Sequence, residues 1–73
     1  MRKYTAGYCV GQNADGQDVF IGRTKVPPAI TVWNFGIVHV DRLGYMRHEF
    51  RGTRKTKAQA VAAAMTLCVA AYS

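Results

Sequence analysis

The sequence predicts an α+β fold: a four-stranded antiparallel sheet with one C-terminal helix packed on one face, in the order β-β-β-β-α, with residues 1–73 forming a single domain. Three observations predict it. Four runs rich in β-branched and aromatic residues are separated by turn formers. Two of them, Ile30 to Val40 and Tyr45 to Arg51, flank the short turn Asp41-Arg42-Leu43-Gly44 and so read as a hairpin. After them, Thr56-Lys57-Ala58-Gln59 fits a capping box at the head of an alanine-rich run.

The first strand is expected over Tyr4 to Val10, followed by a loop over Gly11-Gln12-Asn13-Ala14-Asp15-Gly16, which is dense in turn residues. Asp18 to Arg23, built on Val19-Phe20-Ile21, is the second strand and could pair with the first. Thr24-Lys25-Val26-Pro27-Pro28 is expected to be a connector. Proline donates no backbone hydrogen bond and restricts the residue before it, so a central strand should not continue there.

In the hairpin, the turn decides which side chains share a face. A type I turn with Gly44 left-handed at a bulge pairs Asp41 with Tyr45. Val38, Val40, Met46, His48 and Phe50 then point together, and Trp33, Phe35, Ile37, His39, Tyr45, Arg47, Glu49 and Arg51 point the other way. A slip of one residue would instead join Phe35, Ile37 and His39 to Met46, His48 and Phe50 as the core set. The bulged register is favoured because glycine suits the left-handed position.

The helix is expected to start at Thr56 and run from Ala58 to Tyr72, with Val61, Ala64, Met65, Cys68 and Tyr72 forming the stripe laid on the sheet. One helix covers one face and leaves the other open.

Composition narrows the function. The chain is 49% apolar with 11% aromatics, so it can fold, but 73 residues leave no room for a second core. Ten Lys and Arg against four acids give a net charge of +6, which favours acidic partners: nucleic acid, an acidic protein patch or anionic lipid. The opening Met1-Arg2-Lys3-Tyr4 has no apolar signal core, so a cytosolic setting is expected. Cys9 and Cys68 then read as small core residues rather than a disulfide. The apolar run from Ala60 to Tyr72 is too short for a bilayer span, so no membrane partner is expected.

Nothing reads as an active site. The acids Asp15, Asp18, Asp41 and Glu49 form no evident pair, and no known nucleophile signature surrounds either cysteine. Cys9, Cys68, His39 and His48 lack zinc-ligand spacing, and the scattered glycines contain no phosphate-cradling motif. No cofactor, metal or catalysis is expected.

The basic and aromatic residues carry more. Trp33, Phe35 and Tyr45 beside Arg47 and Arg51 would form an exposed platform able to stack on bases or to receive an apolar peptide with an acidic rim. The plainer reading makes these aromatics core, the usual place for a strand tryptophan in a small domain. Arg23, Lys25 and Val26, in the stretch leading to Ile30, are further candidate anchors. Arg51, Arg54, Lys55 and Lys57 cluster where the last strand meets the helix, either as a solvated face or as a binding patch. Cations there oppose the helix dipole, which mildly favours binding.

From Met1-Arg2-Lys3-Tyr4-Thr5-Ala6 through Thr53-Arg54-Lys55-Thr56-Lys57 to Ala70-Ala71-Tyr72-Ser73, the chain resembles the small RNA-polymerase-binding transcription regulators of lytic Xanthomonas phages. The resemblance rests on length, basic character and general sequence. It implies a monomer in the cytoplasm of an infected bacterium that binds the large subunits of RNA polymerase. There it would disfavour the σ-containing holoenzyme at host promoters and let elongating polymerase pass terminators. No residue role transfers with it. The residues alone leave two other readings: a small basic nucleic-acid-binding module, and a structural protein that self-associates through an apolar helix.

Overall fold

The structure is a computed structural model that describes residues 3–4, 7–26 and 30–71, with side chains over 7–25 and 30–71. The elements are β1 (Lys3–Tyr4), β2 (Gly7–Gln12), β3 (Asp18–Val26), β4 (Ile30–Val40), β5 (Met46–Arg54), α1 (Lys57–Met65) and β6 (Ala70–Ala71). The class is α+β with an antiparallel sheet and one helix. The sheet runs β1-β2-β3-β4-β5, and β6 pairs with β2 beside β1. Among the described residues the expected four strands are joined by two-residue strands at either end of the chain, β1 and β6, the second following the helix.

Three strand boundaries differ from expectation. Tyr4 to Val10 is not one strand: Tyr4 belongs to β1 and Gly7 to β2, and the two pair antiparallel. Thr24, Lys25 and Val26 are not a connector. They continue β3, pairing with Val32, Thr31 and Ile30. Pro27 restricts the residue before it to extended backbone, which a strand satisfies, and among the described residues this segment pairs only with β4, β2 pairing as far as Ile21. Finally, β5 begins at Met46 and runs to Arg54, leaving Tyr45 in the turn.

The β4–β5 register is the bulged one. Val40 faces Met46, His39 faces Arg47 and Val38 faces His48. The Asp41 N–H donates to the Tyr45 carbonyl at 3.0 Å and the Gly44 N–H to the Asp41 carbonyl at 3.1 Å. Gly44 sits at φ +87°, where a Cβ would be strained. The Asp41 carboxylate closes the turn by accepting from the Leu43 and Tyr45 amides at 2.9 and 3.0 Å.

A second bulge, unforeseen, interrupts the ladder between Phe35 and Gly36, which face Gly52 and Phe50. Arg51 is the extra residue. Beyond it the pairing shifts by one, so Trp33 meets Arg54 rather than Thr53.

α1 starts as its sequence directs, with Thr56 in extended conformation and its hydroxyl accepting the Gln59 amide at 3.2 Å. It ends at Met65, well before Tyr72. The Thr66 hydroxyl donates back to the Ala63 carbonyl at 2.6 Å, and the amides of Leu67 and Cys68 tighten onto Ala64 and Met65. The Val69 N–H then donates to the Gln12 carbonyl at 2.8 Å, and Ala70–Ala71 pair with the part of the β2 edge that β1 leaves unmatched. Helix propensity in the alanines yields to a sheet edge with unpaired backbone groups.

The helix lies on the face of Val19, Ile21 and Phe35. With Val10, Ala60 and Ala64 these form the buried core, and Tyr8, Trp33, Val61, Leu67 and Cys68 pack around it. Each large apolar side chain buried here contributes about 1.5–3 kcal/mol. The contact stripe centres on Ala60 and Ala64. Met65, expected in it, is exposed, and Tyr72 lies outside the described residues.

Candidate interaction surfaces

The helix covers the face that carries Trp33 and Phe35. Phe35 is buried beneath α1, with the Arg54 guanidinium 5.1 Å from its ring centre, and Trp33 is half-buried at the edge of the core. An exposed platform of Trp33, Phe35 and Tyr45 with Arg47 and Arg51 therefore does not exist. Trp33 lies toward one end of the hairpin. Tyr45 and Arg47 lie exposed at the other, beside the turn. Arg51, on the bulge, pairs through Nε with the Glu49 carboxylate. Arg23 and Lys25 are exposed on β3, and the side chain of Val26 lies outside the described residues.

Glu49 also ends a polar chain across the sheet. The Asn13 amide donates to Gln17 Oε1 at 2.9 Å, and Gln17 Nε2 meets His39 Nδ1 at 2.9 Å. His39 Nε2 then meets Glu49 Oε1 at 3.1 Å. With Nδ1 accepting from Gln17, the His39 proton sits on Nε2 and points to Glu49. The hydrogen bond from His39 holds the Glu49 carboxyl below its ordinary 4.5. Lost hydration works against that shift, and the Arg51 charge adds to it. This network ties the β2–β3 loop to β4 and β5, so its role is structural.

The far face of the sheet, away from α1, presents the set that the register had grouped together: Val38, Val40, Met46, His48 and Phe50. Phe20, from β3, is fully buried there, with the His48 ring edge-on at 4.9 Å and the Phe50 ring at 5.6 Å. On the same face, Phe50 beside Phe20 remains 58% exposed, and Val40 and Met46, paired toward the turn, remain 62% and 54% exposed. Leu43 and Tyr45 are exposed in the adjoining turn. Among the described residues β5 pairs only with β4, so its outer backbone edge is free to accept a strand. The sequence already placed Val40, Met46 and Phe50 on one face. What it lacked was any sign that the helix would take the opposite one.

The second surface is basic. Arg23, Trp33 and Arg54 are successive cross-strand neighbours on the helix face. The Lys57 ammonium stands 5.1 Å from the ring centre of Tyr8 and 6.0 Å from that of Trp33. Trp33 is thus joined to Arg23, Arg54 and Lys57, not to Arg47 and Arg51.

Among the described residues no group of His, Cys, Asp and Glu side chains is arranged to hold a metal ion, and no helix is long and apolar enough to cross a membrane. Cys9 and Cys68 are not joined in a disulfide, and burial pushes the Cys68 thiol up from 9.0. No protein-family model, curated protein or solved structure matches the chain.

Proposed function

We propose that this protein is a phage regulator that binds the large subunits of bacterial RNA polymerase, inhibiting host initiation by displacing σ and promoting antitermination, and that it docks through the far face of its sheet. The resemblance of the sequence supplies the partner. The observation that carries the docking face is the exposure of Val40, Met46 and Phe50 on that one face, with Phe50 packed on the buried Phe20. An apolar patch of this kind, with no Lys, Arg, Asp or Glu among Val38, Val40, Met46, His48 and Phe50, fits a protein partner better than a phosphate backbone. The free edge of β5 offers the partner a second mode of attachment, an extended segment added to the sheet with its side chains over Met46 and Phe50.

The test is a titration of core polymerase and σ holoenzyme with the wild-type protein and with Phe50→Ala and Met46→Ala. Wild-type protein should bind and release σ from the holoenzyme. Each variant should bind about 30-fold more weakly, since truncating a central anchor costs about 2 kcal/mol. Arg42→Ala, at the turn, should behave as wild type. If wild-type protein binds neither form of polymerase, the function is wrong. If it binds and the variants bind equally well, the function stands and the docking face is wrong.

A further inference from the structure

The end of the sheet opposite the β2–β3 and β4–β5 turns has a chemistry that protein docking on the far face leaves unused. Arg23, Lys25, Arg54, Lys55 and Lys57 are all exposed there. All four acids of the chain lie elsewhere: Asp15 and Asp18 at the β2–β3 loop, Asp41 in the β4–β5 turn and Glu49 on β5 within its ion pair. A net charge of +6 is thus concentrated rather than spread.

The arrangement follows from the register. Arg23 and Arg54 flank Trp33 across three strands, and Lys25 is one row further along β3. At sheet spacings of about 4.8 Å between strands and about 7 Å between alternate residues, these cations occupy a strip roughly 10 by 7 Å. Lys57 stands over Tyr8 and Trp33 at the strip's inner border. Cations this close repel one another, and they sit at the positive end of α1, whose first turn contains no acid. Among the described residues no carboxylate is paired with them, and an extended polyanion relieves both terms at once.

Two features select among polyanions. The cations are interleaved with the half-exposed rings of Trp33 and Tyr8, the combination that takes phosphates on the charges and bases on the rings. An acidic protein surface would use the charges and leave the rings idle. A duplex is read by a helix or ribbon that enters a groove, whereas α1 lies flat with Ala60 and Ala64 buried against the sheet.

We propose that this strip binds single-stranded nucleic acid without base specificity, Arg23, Lys25, Arg54 and Lys57 contacting the backbone and Trp33 and Tyr8 receiving bases. The surface is separate from the far-face patch, so this proposal and the polymerase reading stand or fall independently.

Trp33 is the chain's single tryptophan, so its fluorescence reports directly on this site. A short labelled oligothymidylate is titrated into the full-length protein, following anisotropy and tryptophan emission, with a duplex of equal length and polyglutamate in parallel. Single strand should bind most tightly and quench Trp33. With three or four phosphates neutralised, affinity should fall about 20- to 50-fold between about 50 and 200 mM salt. Lys57→Ala and Lys25→Ala should each weaken binding and lower the salt slope by about 0.7, while Arg42→Ala leaves both unchanged. Circular dichroism checks that the variants remain folded. Failure to bind at low salt, equal or tighter binding of duplex or polyglutamate, or indifference to both lysine substitutions would overturn the proposal.

Discussion

Phe50 meets the fully buried ring of Phe20 edge-on, at a centroid separation of 5.6 Å, while remaining 58% exposed itself. The two rings divide one contact into different roles. Phe20 anchors the far face of the sheet, and Phe50 leaves apolar surface exposed on it.

Phe20→Ala should therefore cost about 3–5 kcal/mol, the usual loss for a buried phenylalanine. In a domain this size, where 1 kcal/mol is worth about 4–8 °C, that lowers the melting temperature by more than about 12 °C. Phe50→Ala should cost about 1 kcal/mol or less. Thermal denaturation of both variants checks the division, and equal losses would mean that Phe50 belongs to the core.

Glu49 gives the fold a pH dependence of known sign. Its carboxyl is held below 4.5 in the folded protein by His39 and Arg51, so the folded state binds its proton less readily than the unfolded chain does. The stabilisation is fully present above pH 4.5 and disappears as pH falls through the lower folded value. Glu49→Gln should thus be less stable than wild type at neutral pH, with the gap closing in acid. A gap in urea midpoints that stays constant from neutral pH to below 4.5 would show that the pair contributes nothing through charge.

Two glycines should respond to alanine for different reasons. At Gly36, beside the β4–β5 bulge, a Cβ would fall 2.0 Å from the Glu49 carbonyl oxygen, so the backbone of β5 must move. The expected loss is about 1–3 kcal/mol or more, with a disturbed far face. Gly44 has open space around it, and its positive φ alone makes alanine cost about 1–2 kcal/mol. Gly44→Asn, which tolerates that conformation, should recover part of the loss in a denaturant titration, and Gly36→Asn should recover none.

Thr56→Ala removes the acceptor for the Gln59 amide and should lower stability by about 1 kcal/mol, while Thr56→Ser should be nearly neutral. Because the helix carries Ala60 and Ala64 into the core, the loss should appear in global unfolding as well as in helical circular dichroism. An alanine variant as stable as wild type would make the cap dispensable.

The sequence by itself determined what local chemistry can write. Asp41 and Gly44 dictate a turn in which one residue must be left-handed, and that turn sets the β4–β5 register and with it the grouping of Val38, Val40, Met46, His48 and Phe50. Thr56 and Gln59 dictate where α1 begins. The antiparallel α+β class follows from strand runs joined by short turns and a single helical run.

Only the tertiary structure decided which face the helix would cover and where it would stop, because both faces of the β4–β5 hairpin are apolar. Trp33, Phe35 and Ile37 stand against Val38, Met46 and Phe50, and no rule of pattern ranks them. The small side chains of Ala60 and Ala64 let α1 approach the broad surface of Ile21 and Phe35, while Phe20 is closed over by His48 and Phe50 from within the sheet. The bulge at Arg51 moved Arg54 beside Trp33 and so made the basic strip, and the unmatched edge of β2 ended the helix early. These outcomes depend on strands distant in sequence sharing backbone hydrogen bonds and space, which only the assembled chain specifies.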